Sequence, residues 1–120
     1  MKILLTGSSG FLGKYIYKSL FINNKIHTLS RNKSTYNVDL SHKIPDFKTS
    51  YNMVIHAAGK AHDQSKDAVV NKLFYKVNVI GLKKLLLGLE KIGVPSKFVF
   101  ISSVSVYGLS KGTNISESFE

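Results

Sequence analysis

Apolar residues fall along this chain in two patterns, short unbroken runs and longer stretches at three- and four-residue spacing. Three runs are strand-like: Lys2–Thr6, Asn52–Ala58 (Asn-Met-Val-Ile-His-Ala-Ala) and Lys97–Ser103 (Lys-Phe-Val-Phe-Ile-Ser-Ser). Their hydrophobicity is continuous, which predicts strands buried on both faces of a parallel sheet. Lys25–Ser30 predicts a fourth strand, and the stretch around Val38 a short fifth. Between them, Phe11, Leu12, Tyr15, Ile16 and Leu20 mark a helix that Asn23-Asn24 stops. Val70, Leu73, Phe74 and Val77, then Leu82, Leu85, Leu86 and Leu89, mark a longer one ended near Gly93 by Pro95. Strand–helix–strand alternation predicts right-handed crossovers and the α/β class: a doubly wound parallel sheet of about five strands, order 3-2-1-4-5, with helices on both faces.

The chemistry starts where the first strand meets the first helix. Thr6-Gly7-Ser8-Ser9-Gly10-Phe11-Leu12-Gly13 stands where a phosphate-binding turn must stand. Gly7 can take a tight turn and Gly10 lets backbone approach a pyrophosphate. Gly13 lets helix pack closely on strand, with the helix N-terminus aimed at the anion. The small residues Ala57, Ala58 and Gly59 end a strand and leave a crevice, the place where open α/β sheets bind ligands. Ser102 and Ser103 end another strand near the same crevice, and Asn78 is a polar residue on an otherwise apolar helix. His56 and His62 have no carboxylate or cysteine at ligand spacing, so no metal is expected and both read as core or surface histidines.

Taken in order, these motifs resemble the extended short-chain dehydrogenase/reductases, the nucleotide-sugar epimerase and dehydratase family. Thr6–Gly13 is similar to that family's Thr-Gly-x-x-Gly-Phe-Leu-Gly throughout. Asp39-Leu40 resembles its adenine-binding Asp-hydrophobic pair, and His56-Ala57-Ala58-Gly59 the strand end that lies along the cofactor. Asn78-Val79-Ile80-Gly81 resembles its Asn-Val-x-Gly, and Ser102-Ser103-Val104-Ser105-Val106-Tyr107-Gly108 its Ser-Ser-x-x-Val-Tyr-Gly. The resemblance implies cofactor binding by Gly7, Ser9, Gly10, Phe11, Leu12, Gly13, Asp39, Leu40, Ala57, Ala58, Gly59, Asn78 and Ser102. It implies that Ser103 is catalytic, hydrogen-bonding the reacting oxygen while hydride passes between a sugar carbon and the nicotinamide.

NAD-binding folds usually carry an acid about 20 residues beyond the glycines, for the ribose 2′-hydroxyl. Here the position holds Ser30-Arg31-Asn32-Lys33, and the chain has no acid before Asp39. Arg31 can pair with a 2′-phosphate, so NADP is expected over NAD.

Length and composition set the remaining bounds. A chain of 120 residues allows one domain, residues 1–120, and shows no repeat or linker. No apolar run approaches the ~18 residues of a membrane span, and the N-terminus has no secretory signal. No membrane partner is therefore expected. The absence of cysteine excludes disulfides and thiol catalysis and fits the cytoplasm. The net charge of +10 invites an alternative reading, a non-catalytic binding module for nucleic acid or another polyanion. Against it, the lysines are spread out and no aromatic–basic cluster or helix-turn-helix is evident.

The resemblance also implies a Tyr-x-x-x-Lys pair for acid–base work. Tyr107-Gly108-Leu109-Ser110-Lys111 fits that spacing literally. Gly108, Gly112 and the lack of apolar periodicity argue against a helix there, and Tyr107 already fills the Val-Tyr-Gly position. The working pair is expected beyond Glu120, together with a C-terminal substrate domain. The sequence thus reads as the dinucleotide-binding front of a larger enzyme, inactive alone. A homodimer through the Val70–Leu89 helix is a further expectation.

Overall fold

A computed structural model describes residues 1–59 and 68–101 of the chain. Five parallel strands form one sheet in the order β3-β2-β1-β4-β5. They are β1 (Lys2–Thr6), β2 (Lys25–Ser30), β3 (Tyr36–Asn37), β4 (Met53–His56) and β5 (Lys97–Phe100). The helices are α1 (Phe11–Leu20), α2 (Ala68–Tyr75) and α3 (Gly81–Glu90), with a π-helical turn, Lys76–Ile80, joining the last two.

The central strand is buried on both sides, as its unbroken Ile3-Leu4-Leu5 requires. Alternate residues serve opposite faces. Leu4 and Val54 pack with Leu29, Leu85 and Leu89, under α3. Ile3, Leu5 and Ile55 pack with Ile16 and Leu20, over α1. The doubly wound parallel sheet with helices on both faces is therefore observed, in the strand order expected.

Four details differ from the sequence reading. The Lys97–Ser103 run does not give a strand buried on both faces: every residue of β5 is exposed, because β5 is the edge of the described sheet. The third strand is Tyr36–Asn37 rather than a stretch centred on Val38, although the Val38 amide still donates to the Ser30 carbonyl at 2.9 Å. The long helix is not continuous, because the π turn breaks the 3.6-residue register at Asn78. And α1 does not bury the stripe expected: Gly13, Ile16 and Leu20 face the sheet, while Phe11, Leu12 and Tyr15 are exposed. The reason is distance. Gly13 sits so close to the Gly7 carbonyl that the helix can approach only on its glycine face.

Residues 40–51 carry no regular periodicity, yet Leu40, Phe47 and Tyr51 are buried in the core beneath α3. Rings meet edge to face there, Tyr36 with Phe47 at 5.1 Å and Phe47 with Tyr51 at 6.0 Å. Burial, then the neighbouring Tyr36, pushes the Tyr51 hydroxyl well above the usual tyrosine range. Tyr51 Oη donates to Tyr36 Oη at 3.0 Å and also meets His27 Nδ1 at 2.7 Å.

Gly88 of α3 lies against this loop. A Cβ there would stand 2.8 Å from the Pro45 carbonyl oxygen and 3.2 Å from Phe47 Cε2. Gly88→Ala should therefore lower stability by ~1–2 kcal/mol in urea unfolding, the clash outweighing alanine's better helix propensity. A stabilised variant would refute this packing.

Candidate functional site

The crevice opens at the carboxyl ends of β1, β2 and β4, where the chain switches from one face of the sheet to the other. Beyond Thr6, Gly7 turns the chain with φ +73°, a conformation that side chains with a Cβ rarely adopt. Its amide donates to the Leu29 carbonyl at 3.1 Å, and its carbonyl accepts from the Gly10 amide at 3.0 Å. A Cβ on Gly7 would be 2.6 Å from the backbone of Ala57 and Ala58, so this turn is pressed directly against the end of β4.

A second tie crosses the same gap through side chains. The Thr6 hydroxyl lies 2.7 Å from His56 Nδ1 and accepts the Ala58 amide proton at 3.1 Å. The hydroxyl thus bridges the imidazole of β4 and the backbone just beyond it. His56 is buried and its ring stacks on Phe100 at 5.9 Å. Burial pushes its pKa down to about 4, so the ring is neutral at pH 7. Sequence reasoning treated His56 as a core or surface histidine. It is a core histidine, and one that also borders the crevice.

The α1 N-terminus faces this turn. Its N-cap, Gly10, supplies no side-chain cap, and the first helical turn holds no acid. Backbone amides at such an end, with the helix dipole behind them, suit a phosphate.

The crevice has a volume of about 420 Å³, within the usual range of ligand sites. Of the residues singled out in the sequence, Gly7, Ser9, Gly10, Arg31, Asp39, Leu40, Ala57, Ala58 and Gly59 line it. Gly13 is buried behind it, and Phe11 and Leu12 are exposed on α1. Asn78 reaches it through Gly59, whose Cβ would lie 3.0 Å from Asn78 Oδ1. Ser102, Ser103, His62, Tyr107 and Lys111 lie outside the described residues. Ser41 and His42 also line the crevice, and no sequence signal marked them. Asp39 Oδ1 accepts from the Ser41 amide at 3.0 Å and from its hydroxyl at 2.6 Å. These bonds, the hydroxyl's first, hold the Asp39 carboxyl below the usual range, and His42 Nδ1 stands 3.3 Å from Oδ2. Among the described residues, no group of three or more histidines and carboxylates comes together as a metal would need.

A dinucleotide fits this geometry for a physical reason. Glycines let the strand end, the turn and α1 pack closely, which sets a helix N-terminus at the mouth of a crevice that Arg31 and Asp39 also line.

Comparison with known proteins points the same way. Residues 3–120 match the NAD dependent epimerase/dehydratase family. The chain is 31% identical over 115 residues to N-acetyl-alpha-D-glucosaminyl-diphospho-ditrans,octacis-undecaprenol 4-epimerase of Escherichia coli O157:H7, covering 91% of this chain and 34% of that protein. With UDP-glucose 4-epimerase of Vibrio cholerae the identity is 33% over 118 residues, covering 88% and 36%. The solved structure of RMD from Pseudomonas aeruginosa complexed with NADPH superposes with a TM-score of 0.74 at 26% identity, covering 99% of this chain and 41% of that one. The chain thus spans about a third of the length of the curated relatives it matches. With a five-stranded parallel sheet and a family match along nearly its whole length, the chain belongs to the NAD dependent epimerase/dehydratase family.

Proposed function

We propose that this chain holds the dinucleotide of an NAD(P)-dependent epimerase, dehydratase or reductase acting on a sugar joined to a diphosphate. The placement of Gly7, Ser9 and Gly10 carries the reading: they line the crevice at the N-terminus of α1, whose first turn holds no acid, so the backbone amides there are open to an anion. The bound NADPH of the Pseudomonas structure and the family's NAD support a nicotinamide cofactor. Both curated relatives are named for sugars on a diphosphate, one linked to undecaprenol and the other to uridine.

In this reading Gly7, Ser9 and Gly10 receive the pyrophosphate, with Phe11, Leu12 and Gly13 setting the helix that presents the amides. Asp39 and Leu40 hold the adenine, and Ala57, Ala58, Gly59, Asn78 and Ser102 border the rest of the cofactor. The nicotinamide, when bound, accepts or donates hydride at the sugar carbon. Ser103 is the residue proposed to hydrogen-bond the reacting oxygen, and the domain 1–120 is proposed to work with a separate substrate-binding part. Pairing of two copies through Val70–Leu89 belongs to the same proposal and is tested by sedimentation of the chain with and without cofactor.

Calorimetry with NAD, NADH, NADP and NADPH tests the cofactor reading. Binding of at least one of them is expected, and none at millimolar concentration in a folded sample would leave only ancestry. Arg31 lines the crevice and, among the described residues, has no carboxylate paired with it. NADP is therefore proposed over NAD, and Arg31→Ala should weaken NADP ~10–100-fold, the worth of a charge-assisted bond. NAD should change little. Equal losses for both cofactors would remove Arg31 from the 2′-phosphate.

A polyanion-binding module is the second reading, and the +10 charge is what favours it. A labelled oligonucleotide that failed to shift even at low salt would end it.

A further inference from the structure

The outward face of α1 is unlike an ordinary solvated helix surface. Phe11 is 82% exposed, Tyr15 57%, and Ile22, in the turn that follows, 77%. Successive steps of about 100° place Phe11, Tyr15 and Lys18 on the side opposite Gly13, Ile16 and Leu20. Phe11 and Tyr15 meet edge to face at 5.3 Å, so they form one apolar surface. Phe21, half exposed, flanks it and stacks on Tyr17 at 5.6 Å. Lys14 and Lys18 are exposed among these rings. From Met1 to Val38 the chain has no acid at all, and among the described residues neither ion pair involves α1.

Exposed aromatic and aliphatic side chains interleaved with unneutralised lysines on one helix face suit the boundary between lipid headgroups and acyl chains. Rings and Ile22 would enter the apolar side, while the lysines meet anionic headgroups. Nucleic acid would use the lysines and rings but gains nothing from an exposed isoleucine. We infer that the outer face of α1, from Phe11 to Ile22, docks the protein onto an anionic lipid bilayer as a peripheral contact. No spanning helix is needed: among the described residues none is long and apolar enough to cross a membrane. The lack of a span, which made a membrane partner unexpected from sequence, does not bear on such a contact.

The inference goes beyond the dinucleotide reading and gives it a use. A sugar diphosphate carried on a polyprenol sits in a bilayer, and an enzyme docked there would meet it without extracting it. A sugar diphosphate on uridine would need no such surface.

The test is sedimentation of the full chain with large vesicles of phosphatidylcholine, with and without a third of phosphatidylglycerol. Binding should be at least tenfold tighter with the anionic lipid and weaken as salt is raised. Lys14→Gln with Lys18→Gln should cost roughly 20–30-fold, from about 1 kcal/mol per lysine near an anionic surface. Tyr15→Ser with Ile22→Ser should weaken binding by a similar factor, with unchanged circular dichroism. Should that pair fail to fold, Ile22→Ser alone, in the exposed turn, carries the measurement. Three results would overturn the inference: equal affinity for neutral and anionic vesicles, variants that bind as wild type does, or no binding at all. So would a lipid-free dimer that Ile22→Ser abolishes, or an oligonucleotide bound more tightly than the vesicles. Calorimetry with NAD and NADP on the same sample keeps the two readings separate, since either can fail alone.

Discussion

Gly13→Ala should be the most destabilising single substitution in this turn. A Cβ at that position would stand 1.9 Å from the Gly7 carbonyl oxygen, 2.7 Å from the Gly7 carbonyl carbon and 2.9 Å from Ser8 Cα. All three are backbone atoms held by the turn, so no rotamer change relieves the contact. The whole of α1 would have to lift off the sheet, separating Ile16 and Leu20 from Ile3, Leu5 and Ile55. Overpacking of this kind costs ~1–3 kcal/mol in pliable cores and more where backbone meets backbone. Alanine's helix propensity returns only about 1 kcal/mol. A loss of ~3 kcal/mol or more, from a total of ~5–15, should shift the urea midpoint far below that of the wild type. A midpoint equal to wild type would mean the turn and helix are not so close. Gly7→Ala should be comparable, since φ +73° adds ~1–2 kcal/mol of strain to the 2.6 Å contact with β4. Gly10→Ala separates folding from binding. Its Cβ would meet only the Gly7 carbonyl oxygen, at 3.3 Å, so stability should fall by about 1 kcal/mol or less while dinucleotide affinity drops.

Acid should unfold the protein earlier than its carboxylates alone would predict, and His56 is the cause. Its ordinary pKa of 6.5 falls to about 4 in the fold, because burial disfavours the imidazolium. Between those values the unfolded chain binds a proton at His56 that the folded chain refuses. Stability therefore rises with pH across this window and is lost as pH falls from 6.5 to 4. Above pH 6.5 both states are neutral and the effect vanishes. The full loss is about 3 kcal/mol. His27, whose pKa is lowered by burial and then by Lys25 and Lys2, pulls the same way. The depressed Asp39 adds its own loss at lower pH. Unfolding free energies at pH 7, 6, 5 and 4 for wild type and His56→Gln isolate the term. The variant should start less stable, having lost its bond to Thr6, and should show a much flatter slope. Parallel slopes would place the titration elsewhere.

Much of this architecture follows from local rules. Ile3-Leu4-Leu5 and Val54-Ile55 are unbroken apolar runs, and such runs settle only where both faces are covered; that condition, with short strand–helix alternation, leaves few topologies. Gly7, Gly10 and Gly13 are legible through their placement, because a tight turn from strand to helix and close packing of that helix both need residues without a Cβ. Arg31, Asp39 and Ala57–Gly59 reach one crevice because parallel strands put all their carboxyl ends on one side. What sequence could not decide depended on distances between segments far apart in the chain. Periodicity alone put Phe11, Leu12 and Tyr15 with Ile16 and Leu20, because all five are apolar. Which of them faces the sheet was settled by the contact of Gly13 with Gly7, and that contact turned an aromatic, basic face outward. Periodicity also drew one helix through Asn78. The π turn there and the meeting of Asn78 with Gly59 join segments some twenty residues apart. His56 read as an ordinary histidine until Thr6, fifty residues away, came within 2.7 Å and Phe100 closed over it. Burial and hydrogen-bond partners belong to the packed molecule, so its neutral ring and its pH window were for tertiary structure alone to decide.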